Sequence, residues 1–170
     1  VNADFQSGYA DDLETLARNV TLCVQTGVAG LSIEDSTGND SAPLYDRAIA
    51  IERIRAARKV IDATGSGVLL TARCEAFLVG HPEAERIALD RLAAFAEAGA
   101  DCLYAPRVTD PEIISRIVKA VAPKPVNALM VSPVPGLTFS SLADLGVRRI
   151  SVGSALSRVA LGAFIRAATD

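Results

Sequence analysis

A short apolar run, a polar loop, an amphipathic stretch and a closing glycine recur in that order along the 170 residues of this chain. The runs are rich in Val, Ile, Leu and small residues, and the stretches between them carry apolar residues at helical spacing. Such an alternation builds parallel strands joined by crossover helices. It predicts strands over residues 1–4, 29–34, 67–73, 101–105, 125–129 and 148–152. Each is nearly all apolar, the pattern of a strand buried on both faces.

Each helix between them shows one apolar stripe to bury. Leu13, Leu16, Ala17, Val20 and Val24 form the first, Ile113, Ile117, Val118 and Val121 a later one, and Leu156, Val159, Ala160, Ala163 and Phe164 the last. Gly27, Gly99 and Gly146 stand where a helix end calls for a left-handed residue. Asp110 ahead of Pro111 and Glu112 reads as an N-cap with proline at the first helical position, and Pro123 with Pro125 stops that helix. With 50% hydrophobic but only 5% aromatic residues, the core is built mainly from Ala, Val, Ile and Leu.

Units of roughly 35 residues suit either a doubly wound sheet or a β/α barrel. About six units fit, and a barrel closes with eight strands. On the barrel reading about two βα units are therefore absent. The chain starts at Val1, inside a strand and without a Met, so the expectation is that these units belong before it. No linker or composition shift divides the residues, which predicts a single domain over 1–170.

A formal net charge of −3, spread along the chain, offers no basic face for nucleic acid. No apolar run reaches the roughly 18 residues of a membrane span, and no signal-peptide pattern opens the chain. A cytoplasmic protein with neither membrane nor nucleic-acid partner is expected. Cys23, Cys74 and Cys102 lie far apart with no C-x-x-C pair, which predicts buried, reduced thiols and no zinc site.

Parallel α/β folds place their chemistry where strands end and loops begin, so polar residues ending apolar strands carry the information. The first strand ends Asn2-Ala3-Asp4, the second Ser32-Ile33-Glu34-Asp35, and the third Thr71-Ala72-Arg73-Cys74-Glu75. Strand alternation puts Asn2 and Asp4 on one face, where they can converge with Glu34. Hard oxygen donors of this kind suit Mg²⁺, and acids at these positions also suit the starts of the following helices. Arg73 offers a bidentate grip on a carboxylate or phosphonate, or an ion pair with Asp4, Glu34 or Glu75.

Three segments in register, Asn2-Ala3-Asp4 with Gly8-Tyr9-Ala10, Gly30-Leu31-Ser32-Ile33-Glu34-Asp35, and Ala72-Arg73-Cys74-Glu75-Ala76-Phe77, resemble the isocitrate lyase and phosphoenolpyruvate mutase superfamily. Its members show D-x-D followed by G-Y-G, then a strand ending in E-D, then A-R-x-[ED]-A-F. The likeness continues through Glu97-Ala98-Gly99-Ala100-Asp101 and Asp144-Leu145-Gly146-Val147.

The resemblance implies a parallel (β/α)8 TIM-type barrel, here lacking about its first two βα units, with Mg²⁺ at the strand ends and a small anionic substrate, a 2-oxo acid or a phosphonate. It implies metal ligation by Asp4, Glu34 and Asn2, substrate binding by Arg73, Asn39, Asn2 and Ser154, and catalysis by Arg73, Glu34 and Tyr9. Asn2 falls where the family carries an acidic ligand, which removes one negative charge from the metal site.

Isocitrate and methylisocitrate lyases carry a K-K-C-G-H loop after the E-D strand. Here Ser36-Thr37-Gly38-Asn39-Asp40-Ser41 stands there without a cysteine, so isocitrate lyase activity itself is not expected. Thr37, Gly38 and Asn39 loosely echo the K-T-N lid of the mutases, and Tyr104 replaces the His or Glu of several relatives. His81 is expected on the surface, and Ser154 equally suits a plain N-cap.

The expected activity is that of an Mg²⁺-dependent lyase cleaving a C–C bond beside a 2-oxo acid or carboxylate through an enolpyruvate-type intermediate, as in oxaloacetate decarboxylation or methylisocitrate-lyase-like chemistry. A phosphonopyruvate hydrolase or mutase acting on a P–C bond is the alternative, and a carboxylate-binding homologue without turnover is the third reading. A homo-oligomer, dimer or tetramer, is expected from the same resemblance.

Overall fold

The computed structural model describes residues 1–169. Six strands, β1 (Asn2–Asp4), β2 (Gly30–Glu34), β3 (Leu69–Arg73), β4 (Cys102–Tyr104), β5 (Val126–Leu129) and β6 (Arg149–Ser151), form one sheet in sequence order. Every neighbouring pair is parallel. Helices α1 (Leu13–Gln25), α2 (Arg47–Thr64), α3 (Ala84–Glu97), α4 (Pro111–Val121), α5 (Phe139–Asp144) and α6 (Ala155–Thr169) follow the strands one by one.

The sheet curls. Arg149 on β6 donates to Thr71 Oγ1 on β3 at 2.9 Å, although three strand spacings in a flat sheet amount to roughly 14 Å. The contact is made across a concave face, so the six strands form an open part of a barrel with the helices on the convex side.

That curvature corrects the expectation of uniformly apolar strands. Leu31, Ile33, Leu70, Ala72 and Leu103 point outward and are at most 1% exposed, packed with Leu16, Ile54, Leu92 and Phe95 of the helices. Burying each such leucine or isoleucine side chain contributes about 1.5–3 kcal/mol. The alternate positions, Asn2, Asp4, Ser32, Thr71, Arg73 and Arg149, face inward and are polar. The strands therefore alternate, because only the convex face meets the apolar core.

Local signals set the element ends. Asp12, Asp46 and Asp110 accept from the backbone N–H groups of Thr15, Ala48 and Glu112 at 2.8, 2.8 and 2.7 Å, capping α1, α2 and α4. Thr138 and Ser141 cap α5 reciprocally, a helix whose end at Gly146 was legible but whose start was not. Gly146 has φ of 95°, and a Cβ there would lie 2.7 Å from Val118 Cγ1, so both conformation and space call for glycine.

The strands are shorter than predicted. Val1 and Ala29 lie outside the ladder although Ala29 N donates to Val1 O at 2.9 Å, because hydrogen bonding runs on beyond the last paired residue. The last helix is a second correction. Its predicted stripe is not buried: Leu156, Val159 and Phe164 are 73%, 70% and 70% exposed, since no element among the described residues covers that face. Cys23, Cys74 and Cys102 are free and buried, as expected. No helix among the described residues is long and apolar enough to cross a membrane.

Candidate active site

The concave face holds a cavity of about 360 Å³ walled by Asn2, Asp4, Arg73, Tyr104, Arg149 and Ser151, among others. Parallel register places Glu34 beside Arg73 and Arg73 beside Tyr104, so the carboxyl ends of three strands meet on one guanidinium. Arg73 donates through Nε to Glu75 Oε1 at 2.8 Å and through Nη1 to Asp4 Oδ1 at 2.8 Å, and Nη2 lies 3.1 Å from Glu34 Oε2. Its Cζ stands 5.2 Å from the Tyr104 ring centre. Asp4, Glu34 and Arg73 are thus brought together, and the ion pairs anticipated for Arg73 form with all three of its candidate partners at once.

The three carboxylates differ in environment. Asp4 is 77% exposed, Glu34 16% and Glu75 0% at the side chain. Burial raises the Glu34 carboxyl above its ordinary value, offset in part by Arg73. Burial pushes Glu75 further, to about 7, again against the pull of Arg73. Glu75 Oε2 has no hydrogen-bond partner.

Asp35, beside Glu34, works as a clamp. Its Oδ1 accepts from Glu75 N at 2.7 Å and its Oδ2 pairs with Arg91 of α3 at 2.9 Å. Arg91 also donates to Tyr45 O at 2.8 Å. The acidic pair ending β2 therefore divides its work, Glu34 facing the guanidinium and Asp35 tying the ends of β2 and β3 to a helix.

The loop after β1 is held from α2 and α1. Arg53, 1% exposed, donates to the carbonyls of Ser7, Ala10 and Asp11. Asn19 Nδ2 donates to Gly8 O and Tyr9 O at 2.9 and 3.0 Å. Nothing in the local spacing of Arg53 marked it, since it occupies the buried stripe of a helix.

Of the other anticipated site residues, Asn2 lines the cavity and Gly153 does so in place of its neighbour Ser154, which is exposed. Tyr9 is 59% exposed, stacked edge-on against Phe5 at 5.3 Å and outside the cavity wall. Asn39 sits at the tip of an exposed turn, its Oδ1 accepting from Ser41 N at 3.0 Å and Ser41 Oγ at 2.8 Å. His81 Nδ1 accepts from Glu83 N at 3.0 Å ahead of α3. Arg149 and Asn127 also line the cavity. Sequence reasoning missed both, although Arg149 and Ser151, two apart on β6, carried the alternation that would have shown Arg149.

A second cavity of about 440 Å³ lies at the opposite, amino-terminal ends of the strands, between Val1, Leu69 and Pro125. It holds none of the strand-end acids, and barrel chemistry belongs to the carboxyl ends.

The two carboxylates at the carboxyl ends, Asp4 and Glu34, are hard oxygen donors of the type that Mg²⁺ accepts. Arg73 engages Asp4 Oδ1 and Glu34 Oε2 and takes up neither Asp4 Oδ2 nor Glu34 Oε1 as a hydrogen-bond partner, whereas Asn2 stands at the start of β1, in register with Gly30, with its amide oxygen beside that glycine and a layer below Asp4. No group of three His, Cys, Asp or Glu among the described residues is gathered around a point. One or two carboxylates with waters and substrate is the way Mg²⁺ is commonly held.

A curled parallel sheet with helices on its convex side and a guanidinium among carboxylates at the carboxyl ends of its strands defines part of a β/α barrel. A family model described as phosphoenolpyruvate phosphomutase matches residues 1–170, and the chain belongs to the isocitrate lyase and phosphoenolpyruvate mutase superfamily. It is 33% identical over 135 residues to the 2-methylisocitrate lyase of Salmonella typhimurium, covering 75% of this chain and 43% of that protein. A solved candidate lyase/mutase from Burkholderia cenocepacia J2315 superposes with a TM-score of 0.93 at 44% identity, over 99% of this chain and 60% of that one. A solved 2,3-dimethylmalate lyase gives 0.88 at 26% identity, over 99% and 59%. The chain spans about half the length of the curated relatives it matches.

Proposed function

We propose that these residues form part of an Mg²⁺-dependent lyase that cleaves a C–C bond beside a 2-oxo acid or carboxylate through an enolpyruvate-type intermediate. The observation that carries this reading is Arg73, joined to three carboxylates at the strand ends and facing the cavity. Two of the similar proteins are named as lyases of methylated hydroxy acids. Mg²⁺ held by Asp4, Glu34 and Asn2 would supply Lewis-acid stabilisation of a developing enolate oxygen.

The residues of the chain do the rest. An incoming carboxylate competes with the exposed Asp4 for Nη1 of Arg73, an exchange that costs little because an exposed ion pair is worth about 1 kcal/mol or less. Glu75 and the Tyr104 ring hold the guanidinium in place, so its charge stays aimed at the cavity as negative charge develops. Tyr9, Asn39 and Ser154 belong to the same proposal only as residues of surrounding loops, Tyr9 acting on the substrate and the other two binding it once those loops close.

Titration calorimetry with Mg²⁺ and oxalate, a mimic of enolpyruvate, is expected to show each ligand strengthening the other. Absence of binding by either overturns the proposal. The description of the matching family model favours a second reading, P–C bond cleavage or rearrangement. Pyruvate released from oxaloacetate, against phosphate released from phosphonopyruvate, decides between the two bonds. Coupled binding with neither product identifies a carboxylate-binding homologue. A homo-oligomeric assembly is part of the same proposal and is checked by light scattering.

A further inference from the structure

The loops that follow β1 and β2 meet on one buried side chain of α2. Arg53 donates through Nη1 to Asp11 O at 3.1 Å and through Nη2 to Ser7 O and, at 2.6 Å, to Ala10 O. Its Cζ lies 4.5 Å from the centre of the Tyr45 ring. The donors of the guanidinium thus belong to the turn after β1, and its face to the residue that ends the loop after β2. A guanidinium is unfavourable to bury unless its donors are met, and a planar group met at both edge and face fixes the direction of each partner.

Each loop depends on such a hold. In the turn after β1, Gln6 and Tyr9 have φ of 48° and 52° beside Gly8 at 81°. Side chains in the left-handed region persist only where the surroundings fix them. Gln6 O also accepts from Glu34 N at 2.9 Å, so the turn bears on the end of β2. After β2 the chain forms a narrow hairpin, in which Ser36 pairs with Leu44 and Thr37 N donates to Pro43 O at 3.0 Å. Residues 38–42 of it are exposed, with Asn39 at the tip. Tyr45 closes the foot of the hairpin, donating through N to Asp35 O at 2.9 Å and accepting from Arg91 at 2.8 Å. Its backbone carries one loop while its ring meets the anchor of the other.

We propose that Arg53 and Tyr45 are positioning residues that join the turn after β1 and the hairpin after β2 into one unit, so that the loops bearing Tyr9 and Asn39 become ordered together. The inference deepens the proposed function, in which those two loops close over the substrate, and the coupling itself is measurable without ligand. Neither residue touches the substrate. They act through the backbone of the turn and of the hairpin foot.

Amide hydrogen exchange at short labelling times is compared for the protein and its Tyr45→Leu, Tyr45→Phe and Arg53→Met variants. Tyr45→Leu keeps apolar bulk but removes the ring face. It is expected to speed exchange about fivefold or more in residues 5–12, a segment held by Arg53, as well as in 36–44. Tyr45→Phe keeps the ring and is expected to stay within about twofold of the unaltered protein in both segments. Arg53→Met is expected to speed exchange in the hairpin as well as in the turn, and if it fails to fold, the two Tyr45 variants decide. Acceleration by Tyr45→Leu confined to the hairpin, or spread equally through β3 and α3, overturns the coupling. Mg²⁺ with oxalate is expected to slow exchange in both segments of the unaltered protein, and slowing of one alone also overturns it. Slowing of neither overturns the proposed activity instead, while the variants still decide the coupling.

Discussion

Arg73 Nε lies 2.8 Å from Oε1 of Glu75, a carboxylate with no exposed side-chain surface, while the same guanidinium holds Asp4, which is 77% exposed. One pair is locked in the interior and the other can exchange with solvent. Removing a partner from a buried pair strands a charge and costs about 3–5 kcal/mol. Arg73→Ala is therefore expected to lose about that much in urea unfolding, and Asp4→Ala about 1 kcal/mol or less. Equal losses would show that the Glu75 contact is not the anchoring one.

Glu75 also sets a pH dependence. Its carboxyl is raised by burial from 4.5 to about 7, with Arg73 pulling the other way. Between those values the folded chain keeps a proton that the unfolded chain has released, so unfolding free energy falls as pH rises through the window and levels above it. Urea midpoints taken from about pH 5 to about pH 8 are expected to fall for the unaltered protein and to change less for Glu75→Gln. Identical slopes would remove Glu75 as the source.

The pair between Asp35 and Arg91, 2.9 Å apart with side chains 1% and 10% exposed, ties the end of β2 to α3. Asp35→Ala alone is expected to cost about 3–5 kcal/mol. Asp35→Leu combined with Arg91→Met should cost clearly less than the sum of the two single changes, because neither charge is then left alone. Additive losses in a double-mutant cycle would contradict direct coupling.

Gly8 has φ of 81°, and a Cβ on it would stand 2.1 Å from Leu16 Cδ1. Gly8→Ala is expected to destabilise by more than about 1 kcal/mol, since strain at positive φ adds to a displaced core leucine. A melting temperature unchanged by the substitution would mean that the loop moves aside freely.

The order of strands and helices was legible because apolar period and helix punctuation are local properties. Asp110 with Pro111 starts α4, and Asn2 and Asp4 share a face, both as the spacing predicts. Arg73, Asp4 and Glu34 were legible as well, since each ends a strand and the register of parallel pairs brings strand ends together. The exposed stripe of α6 was not, because a stripe shows that a face is apolar without showing what covers it.

The sequence by itself determined six βα units, their polar carboxyl ends and the superfamily likeness, all of which rest on spacing within short segments. Only the tertiary structure decided which charges meet. The curl of the sheet brings β6 against β3, places Arg149 in the same cavity as Arg73, and buries Glu75 beneath that guanidinium. Those relationships join residues as far apart as Thr71 and Arg149, and contact across such separations depends on curvature, which no local pattern carries.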